Sequence, residues 1–326
     1  MNKKKINILV TSAGSYCAYN ILKCLRNTKH YNLFTTDINK FSIGSCFSKK
    51  NFIIPNEKNE IKYIKKLLEI SKKNFISIII PTFDTELSVL KKNEKKFNDL
   101  DIKIIIGNNL LISLASNKLF LANWLESNNF NYIPSISLDK FSPKITKLNF
   151  PLILKPKFGW GSRNITIFDD LPKLISFLKN NKIILSDYLL QNCISNDFKE
   201  FTGTVTISKN KNILGSFCSE RIIIKGDSRI IYVKKYKSLE NQMIKIAKKI
   251  NTSGPINFQF KVMDGKIFIF EINARFSTTS YVRSVAGYNE PLIVLKDLML
   301  DKYKPKIKIK QLTALAYLDY QFIDNV

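Results

Sequence analysis

Short apolar runs of strand length, each followed by residues at helical spacing, recur through the first third of the chain, and this alternation restricts its fold more than any other feature. Ile6 to Val10 is apolar and β-leaning, Thr11 to Ser15 is a small-residue loop, and Tyr16 to Arg26 carries apolar residues at helical spacing. A second strand, Leu33 to Thr36, ends at Asp37. The helix-like stretch Glu57 to Lys73 leads to the buried strand Ile76 to Ile80, then to Pro81-Thr82-Phe83-Asp84 and a helix from about Glu86 to Lys96. Ile102 to Ile106 reads as a further strand, ended by Gly107. Strands alternating with helices predict a parallel, doubly wound α/β domain over residues 1–112.

The punctuation then changes. Lys118 to Asn128 reads as a helix, and Pro151 to Pro156 as a strand running into the loop Phe158-Gly159-Trp160-Gly161-Ser162-Arg163. Strand-rich sequence follows from Ile183 to Tyr232, so the second unit is α+β. A helix is expected over Leu239 to Ile250, two strands over Ile256 to Val262 and Lys266 to Ile272, and a last helix over about Glu290 to Leu300. The predicted units are 1–112, 113–303 with a lid over about 150–235, and 304–326 as a Lys/Pro linker and a terminal strand, Leu312 to Phe322.

Composition narrows the chemistry. The longest apolar stretches, such as Phe75 to Ile80, fall far short of the roughly 20 residues that span a bilayer, so no membrane span is expected. The start, Met1 to Lys5 followed by Ile6 to Val10, imitates a signal peptide, but its apolar run is too short and reads better as a first buried strand. Cys17, Cys24, Cys46, Cys193 and Cys218 form an odd set without C-x-x-C spacing, which argues against disulfides and zinc and for a reducing cytoplasm. One histidine, His30, leaves histidine-based triads and metal sites implausible, so any metal here is held by oxygen. The net charge of +26 comes from lysines scattered over every segment, and no aromatic-interleaved basic module stands out, so no nucleic-acid partner is expected.

The pair of strands around Asp264-Gly265 carries a physical test. A two-residue turn would leave Gln259 and Glu271 on different faces. A three-residue loop, Met263-Asp264-Gly265, pairs Asn257 with Glu271 and puts Gln259 on their face; this register is the expectation. Asn257, Gln259, Glu271, Asn273 and Arg275 then point one way, and Phe258, Phe260, Phe268, Phe270 and Ile272 the other. Carboxylate and amide oxygens on one face suit a hard cation, although a half-buried hairpin with a solvated polar face shows the same pattern.

With these residues in hand, the chain resembles the ATP-grasp superfamily, and within it the carbamoyl-phosphate-synthase-like group that includes amino-acid ligases. The resemblance runs from about Ile8 through Leu300 and rests on an ordered set: Lys118 opening a helix, Phe150 to Pro156, the glycine loop, Gln191 to Glu200, and Phe270-Glu271-Ile272-Asn273-Ala274-Arg275-Phe276. It implies a Rossmann-like pre-ATP-grasp domain followed by an ATP-grasp fold. It implies that Lys118 and Lys155 contact phosphate oxygens, and that Gly159, Gly161 and Ser162 form a lid over the triphosphate. Gln191, Asn192 and Cys193 would border adenine, Glu200 would hold the ribose, and Lys225 would sit in a triphosphate-side loop, where an exposed hairpin tip is the competing reading. Gln259, Glu271 and Asn273 would ligate magnesium, with manganese as the alternative, and Arg275 would lie against the transferred phosphoryl group. The sequence departs from the family where an acidic residue is usual near Asn192, a glycine near Asp197 and a proline at Ala274.

Gly14, Asp37, Asp84 and Glu86 are candidates for the second substrate; a helix cap at Asp84, with Glu86 favouring the helix dipole, is the competing reading. Gly14 stands alone, without the G-x-G-x-x-G of a dinucleotide fold. The resemblance thus implies a ligase that activates a small-molecule carboxylate with ATP and passes it to an amine, and a homodimer is a compatible assembly. The alternatives are a small-molecule kinase, whose phosphorylated product would persist in the presence of amines, and a non-catalytic ATP- or polyanion-binding protein.

Overall fold

Strands whose side chains are apolar on both faces have to lie inside a sheet covered on both sides. In the computed structural model, which describes residues 5–142, 148–159, 164–224, 226–317 and 319, the most apolar runs take that place. The first unit runs β1 (Ile6–Val10), α1 (Tyr16–Leu25), β2 (Tyr31–Asp37), β3 (Asn51–Ile53), α2 (Glu60–Lys73), β4 (Ile76–Ile80), α3 (Asp84–Lys92), α4 (Glu94–Asn98) and β5 (Lys103–Ile104). Its five strands are parallel in the order β3-β2-β1-β4-β5, with β1 and β4 at the centre. Ile8, Leu9, Val10, Ile79 and Ile80 are fully buried there.

Strand order reverses between β1 and β4, and in open parallel sheets the crevice beyond the strand ends at such a point is where ligands bind. The loops Thr11–Ser15 and Pro81–Phe83 leave the sheet at this place. The helices that follow these loops touch the second unit at their first turns: the Cys17 thiol donates to the Phe276 carbonyl (3.0 Å), and Arg275 pairs with Asp84 (2.8 Å).

Two helices, α5 (Asn109–Ser116) and α6 (Lys118–Ser127), connect the units. A small antiparallel sheet follows from β6 (Ser135–Ser137), β7 (Leu152–Pro156), β8 (Thr166–Phe168) and β9 (Tyr188–Asn192), in the order β6-β9-β7-β8, with α7 (Leu171–Asn180) packed on it. The large antiparallel sheet is built from β10 (Glu200–Ile207), β11 (Ile213–Ile224), β12 (Asp227–Val233), β13 (Gly254–Met263), β14 (Lys266–Asn273) and β15 (Leu312–Leu315), in the order β14-β13-β10-β11-β12-β15. Helix α8 (Lys237–Ile250) covers its apolar face, where Phe258, Phe260, Ile267, Ile269 and Ile272 join the main core. Helices α9 (Ser280–Val285) and α10 (Glu290–Met299) cover part of the other face.

Several expectations are corrected. Strands β10 to β12, expected within the lid, belong to the large sheet, and the small sheet spans Ser135 to Asn192. The helix expected over Glu86 to Lys96 is two helices, because the Asn93 amide donates to the Val89 carbonyl (2.9 Å) and to Glu60 (3.0 Å) at the break. Only Lys103–Ile104 of the expected strand Ile102 to Ile106 pairs as β5, and β3 and α5 were not anticipated. The terminal strand ends at Leu315; Phe322 lies outside the described residues.

The hairpin differs in an instructive way. Asp264 (φ 49°) and Gly265 (φ 72°) form a two-residue turn with both φ positive, and Met263 pairs with Lys266. The three-residue loop expected there is not formed. Gln259 nevertheless faces Glu271, because a bulge inserts Phe270 into β14 between Ile269, opposite Phe260, and Glu271, opposite Gln259. Below the bulge Ile267 and Ile269 are the core residues; Phe268 and Phe270, expected inside, are not among the buried core, and Phe270 lines the cleft.

Candidate active site

A cleft of about 1450 Å³ runs between the two sheets of the second unit and reaches α1 of the first. Its floor is the polar face of β10, β11, β13 and β14, where strand alternation puts Glu200, Arg221, Gln259 and Glu271 side by side. These groups are wired in one chain of hydrogen bonds. Arg221 donates from Nε (3.0 Å) and Nη2 (2.7 Å) to Glu200 and from Nη2 to the Gln259 amide oxygen (2.7 Å). Gln259 in turn donates to Glu271 Oε1 (3.2 Å), which also receives the Asn273 amide (3.1 Å). Arg221 was not singled out from sequence; its signal, a polar residue opposite Glu200 in β11, appears only once the register is known.

The opposite wall is cationic. Lys155, at the end of β7, is 6% exposed, and its ammonium donates to the Gln191 side chain (2.8 Å), itself held by Ser135 (2.7 Å). Burial, then the neighbouring Lys118 charge, lowers the Lys155 pKa to about 8, with Glu271 opposing. Burial also lowers that of Lys118, against the attraction of Glu271 and Asp84. No carboxylate forms an ion pair with either lysine among the described residues. Lys118 begins α6, capped by Asn117, and reaches the Gly159 carbonyl. Gly159 has φ +102°, a conformation that glycine adopts without strain. Gly161, Ser162 and Lys225 lie outside the described residues.

At the far side of the small sheet the cleft has apolar walls, among them Ile133, Ile153 and Ile167, next to the segment Gln191–Ile194. The backbone of that segment is fixed by Asn192 N–H to Pro134 O (3.0 Å) and Cys193 N–H to Pro151 O (2.9 Å), and Asn192 accepts from the Asn149 N–H (3.1 Å). Lys261 clamps it further, donating to the Ile194 and Ser195 carbonyls (3.0 and 2.9 Å) and to Asn196 (3.0 Å). The Gln191 side chain lines the cleft while engaged by Lys155 and Ser135.

Arg275 leaves β14 toward the first unit. Burial alone would pull its pKa down, but Asp84, followed by Cys17 and Glu271, outweighs this and the net shift is upward, so the guanidinium stays charged. Asp84 is therefore neither a helix cap nor a free acceptor: Phe83 holds the cap position and Asp84 is the partner of Arg275. Glu86 is fully buried and is a latch of the fold. It accepts from Thr11 (2.8 Å), Tyr63 (2.6 Å) and the Thr82 and Phe83 N–H groups (both 2.9 Å). Burial raises its pKa against these donors. Asp37 is occupied by the N–H groups of Gly14 (2.7 Å) and Asn39 (2.8 Å). None of Gly14, Asp37, Asp84 and Glu86 lines the cleft. The first unit instead presents Tyr16, Tyr19, Asn20 and Lys23 of α1.

The oxygen set can be tested for a hard cation. No cluster of three His, Cys, Asp or Glu occurs among the described residues, so a metal here would rest on Glu271 with the amide oxygens of Asn273 and Gln259, completed by oxygens of a ligand. Glu271 Oε2 and Asn273 Oδ1 carry no hydrogen bond among the described residues, which fits. Gln259 would have to release Arg221 or turn its amide.

Residues 115–279 match the family model described as ATP-grasp domain, and residues 8–105 match that described as PylC-like, N-terminal domain. The chain belongs to the ATP-grasp family. Among curated proteins it is similar to the carbamoyl phosphate synthase large chain of Pseudothermotoga lettingae, 25% identical over 256 residues that cover 72% of this chain and 22% of the relative. The ATP-grasp chain thus spans about a fifth of the length of that relative. Its fold matches N5-carboxyaminoimidazole synthetase from Staphylococcus aureus complexed with ADP, with a TM-score of 0.76 and 18% identity, covering 98% of this chain and 84% of that one. It also matches the biotin carboxylase domain of 2-oxoglutarate carboxylase from Hydrogenobacter thermophilus, in complex with MgADP, ADP and bicarbonate. There the TM-score is 0.71 and the identity 15%, covering 94% and 73% of the two chains. Among the described residues no helix is long and apolar enough to cross a membrane.

Proposed function

We propose that this ATP-grasp protein is an ATP-dependent carboxylate–amine ligase that works through an acyl phosphate. The observation that carries the proposal is the cleft's unmatched positive wall: two partly or fully buried lysines that form no carboxylate ion pair among the described residues, set across from a floor of carboxylate and amide oxygens. Two ammonium groups crowded in a low-dielectric cleft are a standing cost that a polyphosphate relieves. The ADP and MgADP complexes of the structural relatives are consistent with a nucleotide in this place.

In this reading Lys118 and Lys155 hold phosphate oxygens, the isoleucine walls and the backbone of residues 191–194 take adenine, and Glu200 receives the ribose hydroxyls. Glu271, Asn273 and Gln259 would hold magnesium, or manganese, which supplies charge neutralisation on the phosphates when bound. The substrate carboxylate oxygen bonds to the γ-phosphorus as the bond to the ADP oxygen breaks. An amine nitrogen then adds to the acyl carbon, phosphate departs with the C–O electron pair, and the nitrogen gives up a proton. Arg275, pinned by Asp84 at the edge of the cleft, stabilises the oxygens on which charge grows. A coupled ADP-release assay over pooled carboxylates and amines tests this, with Glu271→Gln as control. Equal turnover by both proteins overturns the reading.

A further inference from the structure

The end of the cleft nearest the first unit is lined by one face of α1. Tyr16, Tyr19, Asn20 and Lys23 recur at i, i+3, i+4 and i+7, while Cys17, Ala18, Ile21 and Leu22 are buried behind them. Asn20 accepts the Tyr281 N–H (3.2 Å), which fastens this face to α9. The Lys23 ammonium lies 4.1 Å from the centre of the Tyr281 ring and 5.1 Å from that of Tyr19, held in place by two aromatic faces. Among the described residues it has no ion pair, although it lines the cleft. The exposed Tyr16 ring and Val282 give the space between an apolar character.

The geometry also sets a length. The first turn of α1 touches the segment that carries Arg275 through the Cys17 contact with Phe276. Lys23 follows Tyr16 by seven residues, roughly 10 Å along the helix axis. We propose that the non-nucleotide end of the cleft takes a small substrate carrying a second anionic group, docked on Lys23 about two helical turns from its reacting group and joined to it by an apolar segment. This rests on the ligase reading. The anionic tail belongs to either the activated carboxylate or the amine, and the chemistry at Lys23 is the same for both.

The test uses the full chain saturated with MgADP. Calorimetric titration with two series of increasing chain length, α,ω-dicarboxylates and ω-amino carboxylates, is compared with the matching monocarboxylates and alkylamines. At the best length the tailed compounds should bind at least about tenfold tighter than their tail-less counterparts. Lys23→Met, which keeps the stem and removes the charge, should abolish that advantage, and Lys23→Arg should retain most of it. The series that shows the advantage identifies which substrate bears the tail. An advantage absent in the unmodified protein, or undiminished in Lys23→Met, overturns the proposal. Failure of MgADP to raise the melting temperature is a separate result: it sinks the ligase reading and the present inference with it.

Discussion

The floor and the cationic wall of the cleft are built on opposite principles. On the floor, Glu200, Arg221, Gln259, Glu271 and Asn273 satisfy one another in a chain, so each carboxylate or amide is held before any ligand arrives. On the wall, Lys155 is buried beside the half-buried Lys118, both with pKa values pulled down and, among the described residues, with no carboxylate paired to them. Prepaired polar groups give geometry at little cost, whereas unmatched buried charge is destabilising until an opposite charge enters. The difference teaches that the floor positions and the wall binds.

The sharpest way to break that division is Glu271→Gln. It keeps the size of the side chain and an oxygen to accept from Gln259 and Asn273, so folding should persist while ADP release falls by about 10²–10³-fold. A loss of thermal stability as large as the loss of activity would mean that Glu271 is structural. Lys155→Met comes next: the nucleotide-free protein should gain about 1–3 kcal/mol in denaturant unfolding, as the lone buried charge disappears. The same variant should lose most of the melting-temperature rise that MgATP gives the parent protein.

The Lys155 proton offers a third test. Its folded pKa, about 8, lies below the ordinary 10.5, so the folded chain gives up this proton before the unfolded chain does. The cost of the buried charge is therefore fully present below about pH 8 and fades as pH rises toward 10.5. Nucleotide affinity runs the other way, full below about pH 8 and falling above it, by up to about tenfold per pH unit once the lysine is neutral in the free protein. Calorimetric titration with ADP across this range should show the fall in the parent protein and a shallower one in Lys155→Met, where Lys118 alone still titrates. The smallest effect is expected at Arg221→Met, which leaves Glu200 and Gln259 without their shared donor. Nucleotide KM should rise about three- to tenfold with kcat less affected, and a larger fall in kcat would show that Arg221 acts on the reacting phosphate itself.

A fully buried pair elsewhere gives these tests a reference. Arg283 and Glu290 join α9 to α10 beneath the large sheet, both without exposure, and Arg283 also donates to Asn257 (2.6 Å) and Thr202 (3.1 Å). Asn257, grouped with the oxygen face from sequence, is thus consumed by the fold, two residues from Gln259 on the same strand.

Much of the fold was legible because its signals are local. Five-residue apolar runs such as Ile6–Val10 and Ile76–Ile80 bury both faces of a parallel strand wherever they sit. Lys155 was legible for the same reason, a lone charge directly after Leu152-Ile153-Leu154. The helix break at Asn93 was hidden because it depends on Glu60, distant in sequence. The role of Asp84 was hidden because Arg275 sets it, whereas Glu86 was legible as a first-turn acid of α3 and only its contacts with Thr11 and Tyr63 were not.

The Glu271 strand divides the two kinds of information most clearly. Sequence alone determined that Glu271 and Asn273 share a face of β14, since side chains alternate along a strand whatever its partner. It did not determine that Gln259 joins them, because an Asp264-Gly265 turn of two residues points it away. The extra residue that restores the match, Phe270, is placed by the packing of Ile267, Ile269 and Ile272 into the core under α8, and that preference exists only once the sheet and helix have met.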